Sequence, residues 1–143
     1  MPQANDAELT ELYTAETGQE VENNEPNALL GQIAANFDLR LQAVAGSSVG
    51  SGGGDYKLRI YCIDETLAAP APAGMSPGEL DQEFNNLAGN DWKPAGPNFV
   101  KEQTFTITVP PNVQGHVFRY VASLVNDNGD IVSFLESNKF VLV

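Results

Sequence analysis

The sequence predicts a mainly β protein, an antiparallel sandwich of two sheets, and three observations predict it. Apolar and polar residues alternate with a period of two in runs near 37–45, 56–64, 99–109, 116–126 and 131–143. Clusters of Pro, Gly, Asn and Asp separate the runs, as turn chemistry between strands requires. The 143 residues, 42% of them hydrophobic, suffice for one core with a segment left over.

That segment comes first. Residues 1–35 carry Asp6, Glu8, Glu11, Glu16, Glu20, Glu22 and Glu25 and no Lys or Arg, the first basic residue being Arg40. The charge shift marks an acidic N-terminal arm, short helical or extended, ahead of a domain over 36–143. Asp6 suits an N-cap, Leu9, Leu12 and Tyr13 recur at helical spacing, and Gly18 suits a stop, so the spacing predicts a helix over about 7–17. A helix this short needs a surface to lie against. Leu9, Leu12 and Tyr13, with Leu29, Leu30 and Ile33 beyond the Asn23–Asn27 loop, are therefore the candidate partner-binding residues.

In Phe37-Asp38-Leu39-Arg40-Leu41-Gln42-Ala43 the apolar side chains fall on one face of a strand. A Gly- and Ser-rich connector over 46–54 leads to a second strand, in which Tyr56, Leu58, Ile60 and Cys62 oppose Lys57 and Arg59. Residues 65–98 hold five prolines and read as a long connection, with room for one or two short hidden strands. Within it, Ser76-Pro77-Gly78-Glu79 has the cap, first-turn proline and acidic start of a short helix over about 76–84.

Thr104–Val109 alternates until Pro110-Pro111, Val117–Val125 alternates again, and Asn128-Gly129 reads as a hairpin turn into a closing strand interrupted near Glu136-Ser137-Asn138. The stretch FTITVPPNVQGHVFRYVASLVNDNGDIVSFLESNKFVLV resembles the E, F and G strands of bacterial immunoglobulin-like or fibronectin type III-like modules. The resemblance covers about residues 37–143 and implies an immunoglobulin-like β-sandwich, with Tyr120 or Phe118 in the place of the corner aromatic. The chain departs from true immunoglobulin domains in that its single Cys62 has no partner and Trp92 lies in the proline-rich connection. Tyr56, Leu58, Ile60, Phe105, Ile107, Val109, Phe118, Ala122, Leu124 and Phe134 are the expected core, each large buried side chain contributing about 1.5–3 kcal/mol.

Charge narrows the function classes. Seven basic against nineteen acidic residues give a net charge of −12, which opposes binding to phosphate backbones and to anionic lipid. No run of apolar residues is long enough for a transmembrane helix, and no Sec signal is readable at the N-terminus. The expected location is thus cytoplasmic, or surface- or particle-associated by a route without that signal.

Catalytic patterns are sparse. His116 is the only histidine and reads as an edge or corner residue. A Cys62–His116 nucleophile pair is disfavoured because Cys62 falls on the apolar face of its strand. No Gly-x-Ser-x-Gly elbow or phosphate loop occurs. For calcium, the candidate carboxylates are Glu79, Asp81, Glu83 and Asp91, and Asp127 with Asp130, none in the twelve-residue pattern of a calcium loop. No cofactor is implied. The expectation is a non-enzymatic structural or interaction module that self-associates, or docks into a filament, surface layer or phage- or injection-type particle, through its sheet edges and N-terminal arm. Its partner would be protein, other copies of itself above all. The alternative is a carbohydrate-binding module or lectin using Trp92 and the 65–98 loops, with or without calcium.

Overall fold

The computed structural model describes residues 7–23, 25, 36–46, 55–83, 93–95, 98–110, 112–113, 115–125 and 129–142, with the backbone alone at 55–56, 81–83, 93–95 and 98–99. Ten strands run in chain order: β1 (Ala7–Ala15), β2 (Asn36–Ala45), β3 (Asp55–Asp64), β4 (Ala69–Pro70), β5 (Gly78–Glu83), β6 (Lys93–Ala95), β7 (Asn98–Thr108), β8 (Val117–Val125), β9 (Ile131–Glu136) and β10 (Phe140–Val141). Every pairing between them is antiparallel. One sheet has the order β1-β2-β7-β6. In the other, β3 and β8 pair at the centre, β4 and β5 share the far side of β3, and β9 and β10 share the far side of β8. The chain therefore changes sheet between β2 and β3, again before β6, and once more between β7 and β8.

Alternation builds the core. Phe37, Leu39, Leu41, Ala43 and Ala45 of β2 face Leu58, Ile60 and Cys62 of β3 and Phe118, Tyr120, Ala122 and Leu124 of β8 in one buried cluster. Phe140 sits at its aromatic centre. Its ring lies 5.5 Å from that of Phe37 on the opposite sheet, and 5.7 and 5.6 Å from those of Phe118 and Tyr120. Phe105 and Val109 pack against the cluster from its rim, while the Tyr56 side chain lies outside the described residues.

Two expected helices are strands. Of the two forms expected for the acidic segment, residues 7–15 take the extended one and form an edge strand of the first sheet, and no helix spans 7–17. The reason is a bulge: Leu9 pairs with Ala43 but Glu11 with Gln42, so the register slips by one residue between them. Ala7, Leu9, Leu12 and Thr14 consequently all point inward, and a spacing of three that mimics a helix is a strand with one extra residue. Residues 78–83 pair with β3 instead of forming a helix over 76–84. Gly78 has φ +83°, outside helical space, and the Ser76 hydroxyl accepts the Cys62 N–H at 2.9 Å rather than capping a helix.

Phe134, expected in the core, is 58% exposed, because Ser133 and Leu135 are the β9 residues turned toward the interior. The β8–β9 hairpin forms as its Asn-Gly pair predicts, with Gly129 at φ +86°. The expected interruption near 136–138 is present. There the Ser137 hydroxyl accepts the Tyr120 N–H at 2.8 Å, and the Ser137 N–H donates to the Tyr120 carbonyl at 2.9 Å, after which β10 resumes pairing with β8. The Tyr120 hydroxyl donates to the Met75 carbonyl at 2.7 Å, 45 positions back, whereas a corner tyrosine bonds a few residues upstream.

Candidate functional site

Of the candidate partner-binding residues, Leu9 and Leu12 are buried in the protein's own core and are not presented to a partner. Tyr13 is half-buried on the outer face of the first sheet; Leu29, Leu30 and Ile33 lie outside the described residues. There Glu11, Tyr13, Glu20, Arg40, Gln42 and Glu102 line an open groove of about 220 Å³. Burial raises the Tyr13 hydroxyl pKa above its ordinary value; Arg40 opposes that, and Glu11, Glu20 and Glu102 add to it. Arg40 Nε donates to the Gln19 carbonyl at 2.6 Å, so the one cation among the described residues lining the groove is already engaged.

Glu79 is drawn into an ion cluster instead of a metal cage. Arg59 Nε lies 2.8 Å and Lys57 Nζ 3.3 Å from its carboxylate, and these hydrogen bonds hold its pKa below the usual carboxylate range. Asp81 and Glu83 follow it on β5, and their side chains lie outside the described residues, as do Asp91, Asp127 and Trp92 altogether. Asp130 is exposed, just after the β8–β9 turn. Among the described residues no group of three or more His, Cys, Asp or Glu is placed to hold a metal ion, and no helix is long and apolar enough to cross a membrane.

Cys62 and His116 are engaged apart from each other. Burial pushes the Cys62 thiol up to about 12, against a hydrogen bond with Tyr120, and the sulfur therefore stays protonated at neutral pH. His116 Nδ1 lies 2.8 Å from Oδ2 of Asp64, and the imidazole stacks on Phe118 with ring centroids 6.1 Å apart. Nothing in the sequence links His116 with Asp64, which stand 52 positions apart.

Strand edges remain. On one flank of the sandwich, β1 of the first sheet meets the β9 region of the second through side chains: Ser133 Oγ accepts the Leu9 N–H at 2.9 Å, and Asn138 Oδ1 accepts the Thr14 N–H at 3.0 Å. On the other flank, β7 pairs with β2 along Phe99–Thr108 but with β6 only along Asn98–Val100. Among the described residues, no strand covers that side of β7 beyond Val100. The uncovered stretch includes Gln103-Thr104-Phe105-Thr106-Ile107-Thr108, rich in strand-forming residues and without a charge. This edge was legible as a strand from its alternation, but its openness depends on how short β6 is. Compared with protein-family models and with curated protein sequences, the chain matches none.

Proposed function

We propose that this protein is a non-enzymatic structural or interaction module with an immunoglobulin-like sandwich fold, which joins other copies of itself by strand addition at a sheet edge. The fold assignment is supported by strand order: β1-β2-β7-β6 matches the A-B-E-D order of immunoglobulin-type sandwiches, and the second sheet matches G-F-C with an added C′ strand.

The functional reading is carried by the open side of β7. An uncovered strand presents a row of backbone N–H and C=O groups, and proteins that avoid association blunt such edges with Lys, Pro or a bulge. The uncovered stretch opens with Lys101 and Glu102, and from Gln103 to Thr108 it has none of these. The opposite flank is closed by Ser133 and Asn138, so the two flanks are treated differently by the same chain. An extended segment of a neighbouring copy would pair along β7 through main-chain hydrogen bonds.

The test places charge on the edge. Thr106 and Thr108 are exposed, and Thr106→Lys/Thr108→Lys should leave the melting temperature near that of the wild type while lowering the mass measured by light scattering. An unchanged oligomeric mass in a folded variant would remove β7 as the joining edge.

A further inference from the structure

We infer that the strand added at the open edge is β7 of a second copy, paired antiparallel about a two-fold axis that passes beside Phe105. The inference rests on the reading that β7 is the joining edge, and goes beyond it by naming the incoming segment, its register and the size of the assembly.

Geometry fixes the direction. β2 occupies one side of β7, so two copies that both use this strand must meet through the same, open side. With both interiors on one side of the joined sheet, strands that meet in this way run antiparallel, and the operator relating them is a two-fold.

Three features fix the register. The first is that directly opposed residues of an antiparallel pair share a face. On β7, Phe105 and Ile107 turn toward the core, while Glu102, Thr104, Thr106 and Thr108 are exposed. Odd-numbered positions must therefore oppose odd-numbered ones, and the axis passes beside a residue rather than between two. β6 closes one end: Val100 already pairs with Lys93, and an axis beside Thr104 would bring Thr108 of the second copy onto that occupied place. Pro110 closes the other, since it has no N–H to donate, and an axis beside Thr106 would set it against Glu102 inside the pairing. With the axis beside Phe105, Glu102–Thr108 of each copy pair throughout, and Pro110 reaches the level of Val100, where β6 of the other copy already pairs.

Side chains match in that register. Phe105 opposes Phe105 and Gln103 opposes Ile107 on the inner face, while Thr104 opposes Thr106 and Glu102 opposes Thr108 on the outer one. Aromatic pairs and threonine pairs are among the cross-strand contacts that stabilise sheets. The two Glu102 carboxylates stand as far apart as positions 102 and 108, about 20 Å at the rise of an extended chain. That exceeds the Debye length of about 8 Å at physiological ionic strength, so the charged residue of the stretch does not meet its own copy. A two-fold contact uses up the open edge in both copies, and assembly through it stops at a dimer.

The experiment is disulfide trapping at the exposed positions Thr104 and Thr106. Opposed Cα atoms of an antiparallel pair are about 4.5–5.5 Å apart, within disulfide reach, whereas diagonal neighbours at about 7–8 Å are not. Cys62 does not compete, being buried with its thiol held protonated. Full-length Thr104→Cys and Thr106→Cys are oxidised separately and as an equal mixture, and linked dimers are read on a non-reducing gel, with melting temperatures checking that both variants fold. The expected result is a linked dimer in the mixture and in neither variant alone, with mass spectrometry placing the link between positions 104 and 106. Linking of Thr104→Cys alone, or of Thr106→Cys alone, moves the axis off Phe105 and overturns the register. No link in any sample, beside a wild type that associates and a Thr106→Lys/Thr108→Lys variant of reduced mass, overturns β7 as the incoming strand and leaves the edge reading standing. A wild type that is monomeric up to millimolar concentration overturns both.

Discussion

Asp64 shows what a single residue at the end of β3 can fix. Its carboxylate is almost wholly buried, accepts the Leu67 N–H at 3.1 Å and lies 2.8 Å from His116 Nδ1, tying the end of β3 to its following turn and to the approach to β8. Burial alone would raise its pKa; the hydrogen bonds from His116, Leu67 and Thr66 outweigh that and lower it. A carboxylate whose pKa is lower folded than unfolded stabilises the fold above the ordinary aspartate range and ceases to do so as pH falls through the folded value. Urea unfolding should therefore show stability falling as pH drops from neutral through the carboxylate range. Asp64→Asn should be less stable at neutral pH by about 1–3 kcal/mol, with a flatter dependence below it. Equal acid sensitivity of the two proteins would show that Asp64 does not contribute to that limb. The sequence marks Asp64 only as the polar end of a strand; its partner His116 is brought to it by the β3–β8 register, which no local pattern encodes.

Among the elements, those whose two faces differ in polarity were legible. β2, β3 and β8 each carry an unbroken apolar row on one face and charged or polar residues such as Arg40, Arg59 and Arg119 on the other, and their boundaries agree with the alternation to within a residue or two. β1 was not, because the extra residue between Leu9 and Glu11 turns a period of two into a spacing of three. In β9, Ile131-Val132-Ser133-Phe134-Leu135 is apolar on both faces, so alternation cannot say which face is inward, and Phe134 was assigned to the wrong one. β5 begins with the residue types of a helix cap, and tertiary pairing with β3 overrides them. The same scale shows how β1 is held: Asn138 accepts the Thr14 N–H and donates through Nδ2 to Thr14 Oγ1 at 2.8 Å, standing in for a neighbouring strand. Asn138→Ala should destabilise the protein by about 1–3 kcal/mol by leaving the Thr14 amide unpaired. Hydrogen exchange at Thr14 should accelerate more than at Leu58 in the central strand β3. Uniform acceleration would instead mean that the seam is not a local clip.

For the whole molecule, net charge and surface pattern pull in opposite directions. A chain with a charge of −12 repels its own copies, while the open edge of β7, uncharged from Gln103 to Thr108, invites them. Screening should shift that balance, since the Debye length falls from about 10 Å at 0.1 M salt to about 3 Å at 1 M. The acidic excess was plain in the sequence. The distribution of charge over the two sheets was not, because Lys57, Arg59, Arg119 and Lys139 come together only when β3, β8 and the last strands assemble. The most direct measurement of self-association is the mass of the wild-type chain in solution, by light scattering across protein concentration at low and at high salt. The account predicts a mass that rises above the monomer with concentration and rises further with salt; a monomer under every condition would contradict it.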